Sequence, residues 1–377
     1  MKIIVKKSDL VPATQAVHNM VSPQSNAPIL GSILIKTQDG GVTFMASDSD
    51  ACVRYRVAAT IERDGAVTVP ARTFAELTRE LPETDVAISL DEEGSVLVEC
   101  LGANYRLTTM DPEKFPEWPY IESQTTFVIS QPQLKRSIES VLFAIPARDP
   151  RKVLLGALFD LKEGKLITVA TDGKKLGYVS QEPTEIIGEQ DGQAIVPSKL
   201  LSEVVKVLGD EGEVKVTLGQ RQVCFELGSC TFIGNKIDGA YPNYEMVIPK
   251  QFEHIALLDK LSLVSCVRRA SIISDEKNNS VILKFLNKRV EVTSMTYDIG
   301  SFAGEMQAET AEDLDGFEIV FNHRFLLEVL RVIGAEKIEM KLNKPASPAV
   351  IMAQGDENTL FVVMPIKLAD LAQPVNE

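Results

Sequence analysis

Val67-Thr-Val-Pro-Ala-Arg-Thr-Phe-Ala-Glu-Leu77 reads as a strand entering a helix, and the same passage occurs three times in the chain. It returns as Ala194-Ile-Val-Pro-Ser-Lys-Leu-Leu-Ser-Glu-Val204 and as Glu318-Ile-Val-Phe-Asn-His-Arg-Phe-Leu-Leu-Glu328. From Val69 to Val196 is 127 residues and from Val196 to Val320 is 124. A period of that size denotes whole repeated domains, since solenoid units are only about 20 to 50 residues long.

Two further blocks keep the same order around it. A strand ending in small polar residues precedes each copy: Val42-Thr-Phe-Met-Ala-Ser-Asp48, Leu166-Ile-Thr-Val-Ala-Thr-Asp172 and Val290-Glu-Val-Thr-Ser294. A strand pair closes each: Val96–Cys100 with Tyr105–Thr108, Gln222–Glu226 with Thr231–Ile233, and Ala349–Met352 with Leu360–Val363. The first two copies share an ending, Phe115-Pro-Glu-Trp-Pro119 answering Tyr241-Pro-Asn-Tyr-Glu245. Each copy opens with a helix, and Leu134, Ile138, Val141 and Leu142 share one face. Ser8 and Ser130 are the expected N-caps, with Pro12 and Pro132 in the first turn, where a missing N–H costs little. The remaining sequence alternates with the period of antiparallel sheet. The fold class is therefore α+β: three tandem copies of one two-helix, antiparallel-sheet domain. The copies are placed at 1–120, 125–248 and 253–368, with a disordered tail expected at 369–377.

Bulk properties narrow the function. The 377 residues suffice for two or three domains, and 45% hydrophobic with 24% charged residues is ordinary for a soluble globular chain. No apolar run reaches the roughly 18 residues of a membrane span, and the N-terminus lacks signal-peptide form. Five cysteines without a C-x-x-C pair read as reduced thiols of a cytoplasmic protein. Three histidines, His18, His254 and His323, have no partner at metal or triad spacing, and no nucleotide-binding or hydrolase motif is present. Asp48-Ser-Asp50 and Asp172-Gly173 at strand ends read as turn residues rather than metal ligands. No catalytic residue, cofactor or metal is expected.

A net charge of −14 argues against nucleic acid unless it is unevenly distributed. The helices expected at 8–21, 72–81, 130–143, 199–208, 258–273 and 322–333 hold eleven basic and seven acidic residues, a net of +4. The rest of the chain then carries −18. If the six helices faced one concave surface, that surface would be weakly positive inside an acidic shell, and DNA contact would be confined to it.

Several stretches resemble the bacterial β sliding clamp family, the processivity subunit of DNA polymerase III. They are Ala27-Pro-Ile-Leu-Gly31, Thr68-Val-Pro-Ala-Arg72, Thr168-Val-Ala-Thr-Asp-Gly173, Asp238-Gly-Ala-Tyr-Pro242 and Val362-Val-Met-Pro-Ile-Lys-Leu368. The resemblance implies a ring-forming DNA clamp fold: a head-to-tail homodimer around duplex DNA, with helices lining the hole. The implied partners, which dock as short linear peptides, are the clamp loader, the replicative polymerase and repair proteins; no membrane is involved.

By the same resemblance the peptide pocket takes Arg151, Val153, Leu154, Thr171, Gly173, Lys174, Leu176, Pro242, Met246 and Val247 from the second copy and its junction. From the third it takes Asn322, Phe325, Pro348, Val362, Met364, Pro365, Ile366 and Lys367. Apolar walls with methionine suit varied apolar anchors. Val153 stands where the family has a bulky aromatic and Lys174 where His is common, which alters pocket shape and partner preference. DNA contacts map onto Arg72, Arg148, Lys199 and Lys206; Gln24 replaces a common Arg. The dimer seam maps onto Tyr105 and Leu107 on one side and Ile272 and Ile273 on the other, although all four could equally be core residues.

Two other classes stay open. A peptide-displaying scaffold that never encircles DNA would be a strict monomer. An enzyme would need a site built from scattered acids such as Asp48, Asp172 and Asp298.

Overall fold

The structure, a computed structural model, describes residues 1–21, 27–274, 279–296, 299–310 and 314–367. Gln24, Asp298 and the tail 369–377 lie outside the described residues. Among those described there are six α-helices: α1 (Lys7–His18), α2 (Ala71–Glu80), α3 (Gln131–Leu142), α4 (Ser198–Val207), α5 (Lys260–Ser271) and α6 (His323–Val332). The element order is the repeat made visible: a strand, a helix, five strands, a second helix and three strands, twice over. In the third round the single strand Gly300–Thr310 does the work of two. Its first part pairs with Arg289–Thr296, and its last residues turn to His254–Asp259.

The helix starts differ in their chemistry. Ser130 caps α3, its hydroxyl accepting from the Gln133 N–H at 3.4 Å and donating to the Gln133 side chain at 2.7 Å. Asp259 caps α5 through the Ser262 N–H (2.7 Å), and Asn322 caps α6 through the Arg324 N–H (2.9 Å). The expectation for α1 needs correcting. The helix begins at Lys7, so Ser8 is inside it, the N-cap is Lys6, and Pro12 sits in the second turn. The Lys7 N–H is satisfied instead by the Thr84 carbonyl at 3.0 Å. Pro12 and Ser8 both lie on the exposed face, so the Ser8 carbonyl that loses its helical partner can bond water.

Contacts divide the chain into two compact units: residues 1–135, 161–164 and 182–237 form one, and 136–160, 165–181 and 238–377 the other. Each takes part of the second copy because that copy's strands continue a neighbour's sheet. Unit 1 holds a five-stranded sheet ordered Thr60–Arg63, Lys2–Lys6, Asp85–Leu90, Ser95–Cys100, Ala103–Thr108. It also holds a nine-stranded sheet in which Cys230–Asn235 of the second copy pairs with Ala51–Val57 of the first, Gly234 opposite Ala51 and Phe232 opposite Val53. In unit 2 the strand Lys175–Gln181 pairs likewise with Thr359–Val363, Val363 opposite Lys175 and Phe361 opposite Gly177. The two junctions thus use equivalent strands in the same register.

Packing follows the apolar stripes. In unit 1, α1 lies on α2 with Leu10, Ala13, Val17 and Phe74 buried, and the Thr14 and Thr78 hydroxyls meet at 3.0 Å so that neither is left unpaired. In unit 2, Leu263, Val267, Leu326, Val329 and Leu330 of α5 and α6 cover Val281, Phe285, Ile338 and Phe361 of the sheet. Full burial of each such side chain is worth about 1.5–3 kcal/mol.

Candidate functional site

The pocket residues expected from the second and third copies all belong to unit 2, and the turn Thr171–Lys175 organises them. Asp172 Oδ1 accepts the N–H groups of Lys174 (2.8 Å) and Lys175 (2.9 Å), while the Thr171 hydroxyl donates to the Lys175 carbonyl (2.7 Å) and accepts from Gly173 N–H (3.0 Å). Gly173 has φ +86°, the left-handed conformation that favours glycine. Asp48 makes the same turn in the first copy, Oδ1 accepting from Asp50 N–H (2.8 Å) and Ala51 N–H (2.6 Å). Both aspartates therefore spend Oδ1 on backbone N–H groups, as turn residues do. Among the described residues no three His, Cys, Asp or Glu side chains gather as a metal site.

The strand pairing then brings the third copy to this turn. Leu176 lies opposite Val362, and Met364 N–H donates to the Lys174 carbonyl at 2.9 Å. Ile366 N–H donates to the Val320 carbonyl at 2.8 Å, which holds the Met364–Lys367 segment near Asn322. Leu154, Leu176 and Val362 are buried walls; Met364, Pro365, Ile366 and Phe325 are half-buried. Met246, 83% exposed, and Val247, 42% exposed, leave apolar surface uncovered beside Pro242. Arg151 is clamped by Asp149, Nε and Nη2 each 2.9 Å from a carboxylate oxygen, and reaches the Asp172 carbonyl at 3.4 Å. The guanidinium holds the Asp149 carboxyl below its ordinary value. Val153 fits because residue 239 is glycine: a Cβ there would stand 2.6 Å from Val153 Cγ1. Pro348 immediately precedes the strand Ala349–Ala353, whose Ala349 lies opposite Val363.

Three residues here were not anticipated from the sequence. Lys175 is buried and its ammonium pairs with Glu328 of α6, with the rings of Phe325 and Phe143 at 5.1 and 5.5 Å. Tyr241 accepts the Thr171 N–H through its hydroxyl at 3.2 Å, and burial pushes its phenol well up. Lys175 and Glu328 are 153 positions apart, so no local pattern could pair them.

The expected DNA-contact residues fall in both units. Arg72 on α2 and Lys199 and Lys206 on α4 are exposed in unit 1, and Arg148 is exposed in unit 2. Three of them carry acidic neighbours: Arg72 meets Glu76 at 2.9 Å, Lys206 meets Glu203 at 2.8 Å, and Lys199 pairs with Asp48. With the observed bounds the helices hold twelve basic and six acidic residues, a net of +6. Of the seam residues, Tyr105 (40% exposed) and Leu107 lie on the terminal strand of the five-stranded sheet. Ile272 (74% exposed) and Ile273 follow the end of α5.

Comparison with known proteins agrees along the whole length. Family models described as the N-terminal, central and C-terminal domains of the DNA polymerase III beta subunit match residues 1–119, 128–243 and 245–367. A protein named beta sliding clamp from Synechococcus elongatus is 27% identical over 98% of this chain and 100% of its own. A crystal structure of the DnaN sliding clamp of Pseudomonas aeruginosa bound to griselimycin superposes with TM-score 0.93 at 28% identity, covering 98% of this chain and 100% of that one. The DNA polymerase sliding clamp of Bacillus subtilis gives 0.89 at 25% identity, covering 97% and 99%.

Proposed function

The chain belongs to the DNA polymerase III beta subunit family, and on that premise we propose that it acts as a sliding clamp of DNA replication. Two chains close head to tail around duplex DNA, and short peptides of the polymerase, the clamp loader and repair proteins dock at the Thr171–Leu176 and Val362–Lys367 pocket. The chain itself is non-catalytic and cytoplasmic, with copies at 1–120, 125–248 and 253–368.

One observation carries the ring. At both internal junctions the fourth strand of one copy pairs with the last strand of the next at the same register. The equivalent strands at the two chain ends have no neighbour on that side among the described residues: Ala103–Thr108 ends its sheet, and residues 300–307 pair only with Arg289–Thr296. Continuing the internal register sets Phe302 opposite the partner's Tyr105 and Gly300 opposite the partner's Leu107. Tyr105 then takes the place that Phe361 has at the second junction, where it meets Phe143 at 5.8 Å; Ile272 stands where Phe143 stands, one residue past its helix. A heterologous contact of this kind closes if the rotation between copies continues.

DNA is held through its topology rather than by grip. Arg72, Lys199 and Lys206 already have carboxylate neighbours, so phosphate contacts exchange for these at little net gain, which suits sliding. The test is retention: once loaded, the protein stays on closed circular DNA in moderate salt and escapes when the circle is linearised. Equal retention on both forms, or a strict monomer at micromolar concentration, overturns the ring and favours a peptide-binding scaffold.

A further inference from the structure

The first junction contains a cavity of about 330 Å³ within unit 1. Leu30, Cys52 and Ile233 form its apolar wall, and its rim is Asp50, Glu117 and Trp118. Its construction repeats the second junction piece by piece. Leu30 follows from the short turn before the second strand as Leu154 does, Cys52 stands on the fourth strand as Leu176 does, and Ile233 stands on the facing last strand as Val362 does. The charge is reversed. Where the second junction presents Lys174 next to the clamped Arg151, the first presents Asp50, and among the described residues no basic side chain lines the cavity, the Arg54 guanidinium being stacked on the Trp118 ring at 4.6 Å. Asp48 is neutralised by Lys199 and by its own turn, but among the described residues no ion pair engages Asp50 or Glu117, and both are exposed.

We propose that this cavity is a second docking site for a short peptide, one that carries a Lys or Arg beside an apolar anchor. The anchor lies against the paired Cys52 and Ile233 beside Trp118, which packs on them, and the cation meets Asp50 and Glu117 at the rim. Charge complementarity selects against the peptides suited to the basic second pocket, so one ring would sort two classes of partner. The equivalence with the second junction rests on reading that junction as a peptide pocket; the cavity and its charge do not.

Trp118 is the only tryptophan of the chain and lines this rim, so its fluorescence reports binding there; it also lines a neighbouring cavity with Arg54 and Arg56, whose charge disfavours a lysine peptide. The probe is the capped peptide Gly-Lys-Leu-Leu-Lys-Gly, with Gly-Glu-Leu-Leu-Glu-Gly as its counterpart, titrated into the intact protein. The lysine peptide changes the Trp118 emission saturably, and the glutamate peptide binds at least ~10-fold more weakly. The exposed double variant Asp50→Lys with Glu117→Lys inverts that preference. A lack of saturation to about 10 mM, equal affinity for the two peptides, or indifference to the double variant overturns the proposal. Lys174→Glu at the second junction leaves this titration unchanged; a tighter lysine-peptide affinity in that variant would place the peptide at the second junction, which refutes the first-junction site and leaves the reading of the second intact.

Discussion

Gly177 is the residue on which the second junction turns, because α3 crosses its strand there with no space for a side chain. A Cβ would stand 2.7 Å from the Ser140 carbonyl oxygen and 3.2 Å from Val141 Cα, both backbone atoms that cannot swing aside. Gly177→Ala should cost about 1–3 kcal/mol, read as a lower denaturation midpoint with an unchanged slope. Buried thiols make a second residue-scale prediction. Desolvation raises Cys52, Cys224 and Cys230 to about 12, leaving almost no thiolate at pH 8. Native protein should therefore react with a thiol reagent far more slowly than unfolded protein; equal rates would contradict this burial. Asp149 gives the pH dependence. Its folded value is held below the ordinary 3.8 by Arg151, so its contribution is complete above that value and is lost as pH falls through the lower folded one. A carboxyl titration of Asp149 with its midpoint at or above 3.8 would refute the clamp on Arg151.

At the scale of elements, the decisive features are strand edges. Ala103–Thr108 exposes five of its six residues and, among the described residues, has a neighbour on one side only, a template that a second strand can extend. The partner strand begins at Gly300, and Ile272 waits beside it with 74% of its surface exposed. Ile272→Glu changes the folded chain little, since the side chain is mostly exposed in its own unit, but buries a charge in the proposed seam. The dimer should weaken by about 100-fold or more in sedimentation, with circular dichroism unchanged. The register itself is testable: Tyr105→Cys with Phe302→Cys should give a disulfide-linked dimer under mild oxidation. The five native thiols are buried and do not compete.

For the whole molecule the acidic balance of −14 coexists with helices at +6. Direct binding to linear duplex should be weak and vanish with added salt, because the few available cations gain little from phosphate that their carboxylate partners do not already supply. Retention on circular DNA should persist over the same salt range. Parallel loss of both would mean that electrostatic grip, not enclosure, holds the protein.

The three-fold repetition, the α+β class, the six helices to within a few residues and the Ser130 cap were legible in the sequence, because apolar periodicity, caps and turn residues act within a few positions of one another. Asp48 and Asp172 likewise declared themselves as turn residues, since their partners are two and three positions on. The start of α1 was misread because Thr84, far along the chain, supplies its cap. Distance also hid the Lys175–Glu328 pair, the Gly239–Val153 fit and the identical register of the two junctions. Sequence alone determined that there are three copies of one unit. Only the tertiary structure decided how they join, because the joining lies in hydrogen bonds between strands more than a hundred residues apart, whose partners no local pattern encodes.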